Sequence, residues 1–291
     1  MLTNDAPAKI NLALHVTGRR DDGYHLIESL VVFTELGDRV SARLASHDGF
    51  VLGGVEAGPL SAENSNDNLV VRARDALAGA ARQSGAVLAP VEIKLDKRLP
   101  VASGIGGGSA DAAAALKLLC SLWDFSPAAD HLSQIALKLG ADVPMCLSGR
   151  PLIARGIGER LDPVALGFRL DLVIVNPRIG VSTPAAFSAL ESRDNAPLPA
   201  PEGVGDKGAF IDWLARTRND LEPPARRLVP EISDCLAALN SSGALIARMS
   251  GSGASCFGLY ASADAASDAA NRLRQTKPGW FIAATRTLPA D

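Results

Sequence analysis

The densest chemical signal in the chain is residues 99–111, Leu-Pro-Val-Ala-Ser-Gly-Ile-Gly-Gly-Gly-Ser-Ala-Asp, where Gly104, Gly106, Gly107 and Gly108 fall within five positions, just before an Ala/Leu-rich run. Glycine admits positive φ and lets backbone approach a ligand closely. A helix start adds unpaired N–H groups and the positive end of the macrodipole. The combination is an anion site, above all for phosphate; the competing reading is a plain strand-to-helix turn. Two common phosphate loops fit poorly. The Walker pattern needs Gly-Lys-Ser/Thr, and Gly108 is followed by Ser109 and Ala110. The dinucleotide fingerprint needs glycine where Ser109 stands and a strand directly before the loop, whereas the strand-like Val91–Leu95 ends well short of Gly104.

Other residues suit phosphoryl transfer. Lys9 lies in an apolar strand-like run, either as a solvated edge lysine or as a cation that lowers the pKa of an acceptor hydroxyl. Asp142, in Gly-Ala-Asp-Val-Pro, is either a turn or cap aspartate or the group that takes the hydroxyl proton. Ser109 either caps the following helix or touches phosphate or Mg²⁺. Asn68 either caps a helix or contacts the nucleotide. Ser250-Gly251-Ser252-Gly253-Ala254 is a second glycine turn, at minimum a hairpin.

These residues need elements to hold them. Residues 8–16 alternate as a half-buried strand. Asp21-Asp22-Gly23 is a turn, and residues 30–44 hold one or two strands. Asn68 opens a helix to about Ser84 that Gly85 stops. After the strand at 91–95 and the glycine loop, a helix runs from about Ser109, with Ser109 as N-cap, to Trp123. Ser126-Pro127 opens the next helix and Gly140 closes it. Residues 141–144 then leave helix geometry, because a residue before proline avoids the α region. In the second half we expect a strand at 170–175, a Pro/Gly-rich surface loop at 192–206, and helices near 207–216 and 224–240. Paired strands at 245–249 and 255–260, a helix at 263–275 and a strand at 281–286 complete the chain. The mixture is α+β or α/β.

Length and composition agree with this. The 291 residues suffice for one large domain or two ordinary ones, with 47% hydrophobic and 21% charged residues and a net charge of −3. No basic block points to nucleic acid, and no apolar run approaches a membrane span. The N-terminus lacks signal-peptide character. Four dispersed cysteines fit reduced thiols in a cytoplasm, and the four histidines lack metal-ligand spacing.

In order and spacing, Pro7-Ala8-Lys9-Ile10-Asn11-Leu12, the glycine loop, Gly140-Ala-Asp-Val-Pro144 and Met249-Ser-Gly-Ser-Gly-Ala254 resemble the three motifs of the GHMP kinases (galactokinase, homoserine kinase, mevalonate kinase, phosphomevalonate kinase). The resemblance covers residues 6 to about 260. Ile105, where leucine is usual, and Ala110, where serine is frequent, are mild departures. It implies an α+β, two-domain architecture: a ribosomal-protein-like βαβ domain over 1–160 and an α/β sandwich over 161–291. It implies Lys9 and Asp142 as the catalytic pair. ATP binding would fall to Pro100, Val101, Ala102, Ser103, Gly104, Ile105, Gly106, Gly107, Gly108, Ser109 and Ala110, with Asn68. Mg²⁺ would arrive on ATP, with Ser109 as a protein ligand. Ser250, Gly251, Ser252 and Gly253 would close the site. Asp22-Gly-Tyr-His separates one branch, whose small-molecule acceptor carries a cytidine diphosphate. Acceptor binding would then involve Asn11, Tyr24, His25, Thr183 and Phe187, with Tyr24 and Phe187 stacking on cytosine and His25 bonding its edge. A non-catalytic nucleotide-binding module is the rival from another class; it has no need of a proton acceptor such as Asp142.

Overall fold

The structure is a computed structural model that describes residues 1–62, 64–201 and 205–289. Residues 202–204 of the expected loop at 192–206, and the last two residues of the expected C-terminal domain, lie outside that set. The chain divides into two compact units that are interleaved in sequence. The first takes residues 1–8, 37–101 and 106–149; the second takes 9–36, 102–105 and 150–291. Strands β1 (Leu2–Arg19) and β2 (His25–Leu44) contribute residues to both.

In the first unit, β4 (Val91–Asp96) pairs antiparallel with Arg39–Leu44 of β2 and parallel with β3 (Gly49–Gly53). Parallel neighbours need a crossover, and here it carries α1 (Leu69–Gln83). Asn68 caps α1 as expected: its side chain accepts from Val70 N at 2.9 Å. Gly85, at φ +83°, follows its end. Helix α2 (Gly107–Leu122) buries Ala110 and Ala112–Ala115 together with Leu116, Leu118 and Leu119. Alanine on nearly every side lets α1 and the later helices pack close, since interaxial distance follows side-chain size.

Two helix boundaries differ from expectation. Pro127 does not open α3, which runs Ala129–Leu139. Residues 143–148 form a short helix, α4 (Val143–Ser148), where the sequence predicts departure from helix geometry. Pro144 occupies its first turn, where a missing N–H costs nothing.

In the second unit, Ile27–Val31 of β2 pairs with β5 (Leu152–Gly156), which pairs with β6 (Arg160–Pro163). Neither β5 nor β6 was expected. A four-stranded antiparallel sheet follows in the order β10 (Phe281–Arg286), β7 (Asp171–Asn176), β9 (Cys256–Tyr260), β8 (Ile246–Met249). Helices α5 (Thr183–Ser188), α6 (Lys207–Ala215), α7 (Glu222–Leu228), α8 (Glu231–Ser241) and α9 (Ala263–Thr276) accompany it. The helix expected near 224–240 is thus two, α7 and α8. Val173, Val175, Ile232, Leu239, Cys256, Ala269 and Ala270 belong to this unit's core.

Two further expectations change. Residues 8–16 of β1 are buried on both faces rather than half-buried. The described part of the 192–206 loop is tied down: Asn195 Nδ2 donates to the Val16 carbonyl at 3.0 Å, Leu198 N donates to Glu28 Oε2 at 2.9 Å, and Leu198 is buried.

Two glycines test this packing in opposite directions. A Cβ on Gly37 would stand 2.4 Å from the Ala6 carbonyl oxygen, so Gly37→Ala should destabilise by about 1–3 kcal/mol as the strands part. Gly79 sits inside α1 with open space around its Cα, so Gly79→Ala should stabilise by about 0.5–1 kcal/mol. Urea denaturation of both variants checks the pair; equal shifts would contradict it.

Candidate active site

The glycine loop ends on the first turn of α2, in the first unit. The cap residue is Gly106, left-handed at φ +68°, with no side chain over the turn. Ser109 is therefore not the N-cap, as the sequence led us to expect; it is the third residue of the helix. The first backbone bond of α2 is Ala110 N to the Gly106 carbonyl at 2.8 Å. The N–H groups of Gly107, Gly108 and Ser109 precede it and have no partner within the helix, which is the arrangement that binds phosphate.

The loop glycines have distinct causes. Gly106 is required by its left-handed conformation. A Cβ on Gly107 would lie 3.0 Å from Lys97 Nζ, so Gly107 makes room for a buried lysine rather than for a ligand alone. Gly108 is exposed, and a Cβ there would meet only Leu69 Cδ1 at 3.4 Å. Gly104 belongs to the second unit, where a Cβ would stand 2.6 Å from both the Gly253 and Ser250 carbonyl oxygens. Ala102, at φ +50°, is left-handed as well.

Beneath the start of α2 lies a charge cluster that sequence reading passed over. Lys97, on the segment entering the loop, bonds to Asp38 and, at 2.9 Å, to Asp111 Oδ2 on α2. Asp38 Oδ1 also accepts from Arg98 N at 2.5 Å and Leu99 N at 2.8 Å. The cluster thus holds the chain on either side of the loop. One cation faces two carboxylates, all buried. Burial raises the Asp111 carboxyl to about 8; Lys97 pulls against this, while the like charge of Asp38 adds to it. Burial opposes the Lys97 charge too, but the carboxylates of Asp111 and Asp38 outweigh it and hold its pKa above the ordinary value. Asp111 Oδ1 is buried without a hydrogen-bond partner. The signal was present in the sequence: Asp111 is the one charged residue between Gly104 and Leu116.

Also in the first unit, Asn68 borders a pocket of about 340 Å³ whose walls include Phe50, Leu52, Leu60 and Asn64. Asn68 thus caps α1 and also borders this pocket. Asp142 is half-buried at the N-cap position of α4, yet its side chain makes no capping bond. Pro100 and Val101 belong to this unit as well.

In the second unit, Lys9 is 5% exposed, which excludes the solvated edge lysine. Alternation along β1 puts Lys9 and Asn11 on one face, and Lys9 Nζ donates to Asn11 Oδ1 at 2.7 Å. Lys9 N donates to the Ile105 carbonyl at 3.0 Å, and Ser255 N to the Ser103 carbonyl at 3.1 Å. The glycine turn sits against the same strand: Asn11 N donates to Ser250 Oγ at 3.0 Å, and a Cβ on Gly251 would lie 3.2 Å from Asn11 Oδ1. Asn219 Nδ2 holds the turn by the Met249 and Gly251 carbonyls, each at 2.8 Å. Arg248, lowered to about 10 by burial, donates to the Leu12 carbonyl at 2.7 Å and so pins the turn to β1. Ser29, whose Oγ accepts from Asn11 Nδ2 at 2.7 Å, carries no local sequence signal, nor do Asn219 and Arg248, because their partners lie far along the chain.

Tyr24 follows the expected turn, with Gly23 at φ +91°, and its side chain is 60% exposed. His25 stacks on Phe187 of α5, with ring centroids 4.7 Å apart at 22°. One face of the Phe187 ring is thus covered by His25. Burial lowers the His25 pKa, with Arg19 and Arg193 adding to the effect, and Nε2 is buried without a hydrogen-bond partner. Thr183 Oγ1 and Ser252 Oγ are hydrogen-bonded at 2.8 Å, joining α5 to the glycine turn.

Known proteins share this sequence and fold. The family model GHMP kinases N terminal domain matches residues 68–150, and GHMP kinases C terminal matches residues 201–279. A 4-diphosphocytidyl-2-C-methyl-D-erythritol kinase from Agrobacterium fabrum is 53% identical over 284 residues, covering 97% of this chain and 95% of its own. A crystal structure of 4-(cytidine 5'-diphospho)-2C-methyl-D-erythritol kinase superimposes with a TM-score of 0.82 at 34% identity, covering 98% of this chain and 99% of that one. Homoserine kinase from Cytophaga hutchinsonii shares the fold, with a TM-score of 0.72 at 21% identity over 99% of this chain and 94% of that one.

The buried cluster predicts a pH dependence. The folded state holds a proton on Asp111 up to about pH 8, whereas an unfolded aspartate releases it near 3.8. Its contribution to stability is complete below the unfolded value and is lost as pH rises through the folded one. Asp111→Asn removes the ionisation and leaves Lys97 paired with Asp38. Between about pH 6 and about pH 9 the variant should lose less stability than the wild type in urea titrations. Parallel losses would remove Asp111 from this role.

Proposed function

The chain belongs to the GHMP kinases, in the branch of the 4-diphosphocytidyl-2-C-methyl-D-erythritol kinases, and from that premise we infer that it phosphorylates the 2-hydroxyl of 4-diphosphocytidyl-2-C-methyl-D-erythritol with ATP. The products are the 2-phosphate and ADP, and the reaction serves the non-mevalonate isoprenoid pathway. Residues 1–160 and 161–291 form the N- and C-terminal kinase domains in this reading.

On the donor side, the free N–H groups at the start of α2 take the phosphates, and the pocket beside Asn68 takes the adenine between Phe50, Leu52 and Leu60. Pro100 to Ala110 supply the loop around the triphosphate. Among the described residues no group of three His, Cys, Asp or Glu could hold a metal. A Mg²⁺ would be carried on the phosphates, and Ser109 Oγ would be its protein ligand; such ions keep several waters and use few protein groups. Held there, it would supply charge neutralisation to the phosphates during transfer. Asp142 takes the proton of the 2-hydroxyl as its oxygen bonds to the γ-phosphorus and the bond to the ADP oxygen breaks. The Lys9 ammonium stabilises negative charge on the attacking oxygen. Transfer needs little covalent help, so placement of these groups does most of the catalysis.

The observation that carries the acceptor assignment is His25. A neutral imidazole, held against Phe187 and with a buried Nε2 lacking a partner, is built to bond the edge of a base. The exposed Tyr24 ring supplies a stacking face, and Phe187 acts by fixing the His25 ring. Asn11, Thr183 and the turn Ser250–Gly253 complete the acceptor side. The buried free cysteines Cys146, Cys235 and Cys256 suit a reducing cytoplasm.

Incubating the protein and MgATP separately with the cytidyl acceptor, homoserine and mevalonate, and measuring ADP release, tests the assignment; turnover of the cytidyl acceptor alone is expected. Asp142→Asn should lower kcat by about 10²-fold or more while binding of a non-hydrolysable ATP analogue persists. Near-wild-type turnover would take Asp142 out of the chemistry. Tyr24→Ala should raise the acceptor KM by about tenfold, from a stacking loss of about 1–3 kcal/mol, and leave the KM for ATP unchanged. CMP should inhibit far better than UMP, because a wrong base edge strands the His25 nitrogen; equal inhibition would reject the cytidyl acceptor.

A further inference from the structure

We propose that Ser29 is a positioning residue for the phosphoryl transfer, fixing the Asn11 side-chain amide so that its oxygen holds the Lys9 ammonium. The inference rests on the kinase reading and on the part of Lys9 in it. Lys9, Asn11, Ser29 and Ser250 are all at most 5% exposed, so water does not satisfy them and each bond has to find its complement in protein.

The direction of the bonds decides the arrangement. Ser29 Oγ donates to the Ala13 carbonyl at 2.7 Å. A carbonyl oxygen only accepts, so the single hydroxyl proton of Ser29 is committed, and Ser29 meets Asn11 as an acceptor. The part of Asn11 that faces it at 2.7 Å is therefore Nδ2. The amide oxygen is turned to Lys9 Nζ, which only donates, at 2.7 Å. Ser250 repeats the logic on the Asn11 backbone: its Oγ accepts from Asn11 N at 3.0 Å and donates to the Gly104 carbonyl at 3.1 Å. Two hydroxyls from distant segments, each with its proton assigned to a carbonyl, clamp one asparagine.

A flipped amide would set NH₂ hydrogens against an ammonium, and an oxygen against a hydroxyl with no proton to give. Removing the Ser29 hydroxyl leaves Nδ2 buried without an acceptor in the native orientation. The hold of Asn11 on Lys9 then weakens, while the pocket beside Asn68 and the turn at α2 are untouched. A residue acting this way affects the chemical step more than substrate binding.

The test is steady-state kinetics of the full-length protein with MgATP and the cytidyl acceptor, for wild type, Ser29→Ala, Asn11→Ala and the double variant. Ser29→Ala should lower kcat about tenfold, with both KM values within about twofold and the melting temperature and ATP-analogue affinity retained. In the Asn11→Ala background, Ser29→Ala should cause no further loss, because the effect passes through Asn11. Wild-type kcat in Ser29→Ala, or the same loss in both backgrounds, would overturn the proposal. So would a Ser29→Ala protein that melts far lower or fails to bind nucleotide, since that makes Ser29 a structural residue. A wild-type protein inactive on the acceptor would instead defeat the kinase reading, and this proposal with it.

Discussion

The glycine loop depends on a buried lysine. Lys97 stands under the first turn of α2, and its two carboxylate partners hold opposite sides of the loop: Asp38 the entering backbone at Arg98 and Leu99, Asp111 the helix that leaves. Glycine-rich backbone has the greatest freedom to lose on ordering, so a loop of this composition needs anchors at its ends. Apolar contacts supply little direction. Charged groups in a dry site supply a great deal, and their removal singly is expensive, about 3–5 kcal/mol, because a charge is left without a partner. Burial raises the Asp111 carboxyl to about 8, so the site favours a proton there over a second buried carboxylate charge.

The same economy of space explains the glycine turn of the second unit. Gly104 and the turn at Ser250–Gly253 approach backbone to backbone, with no room for a Cβ on Gly104 or Gly251. A glycine that looks from sequence like a place for ligand to approach is, at Gly104, a place where the protein approaches itself. Gly107 is shaped by the Lys97 side chain. Of the loop glycines, Gly108 has the open surroundings that a direct role in admitting phosphate requires. Composition alone cannot separate these causes, since each produces the same residue.

Local signals were legible for this reason, and long-range ones were not. Asn68, the strand at 281–286 and the hairpin of β8 and β9 were read correctly because caps, short alternations and glycine turns act within a few residues. The helix α4 was missed because the rule for residues before proline competes with the tolerance of proline in a first helical turn, and packing decided for the helix. The strand β1 was misjudged as half-buried because Lys9, Asn11 and His15 are polar residues whose burial depends on partners elsewhere. The His25–Phe187 stack joins residues far apart in sequence, so no local pattern signals it. Buried Lys97 pairs with Asp38 across 59 positions, and Asn11 meets Ser250 across 239. No pattern of period two or 3.6 encodes such pairs.

The two units solve a common problem with different chemistry. Each has a polar group that must stay oriented in a place water does not reach. The first uses formal charge, which is strong but indiscriminate in direction and needs a proton to balance it. The second uses neutral hydroxyls and an amide, each weak, whose protons admit one direction of bonding. A charged anchor suits a loop end, where only position matters. A directional chain suits Lys9, because an ammonium held by a misoriented amide would be repelled rather than placed. The serines are therefore not interchangeable with aspartates, although an aspartate would bind lysine more strongly: a carboxylate at Ser29 could accept from Asn11 but could not also donate to the Ala13 carbonyl. Strength of attraction and control of orientation are separate requirements, and this chain assigns them to separate residues.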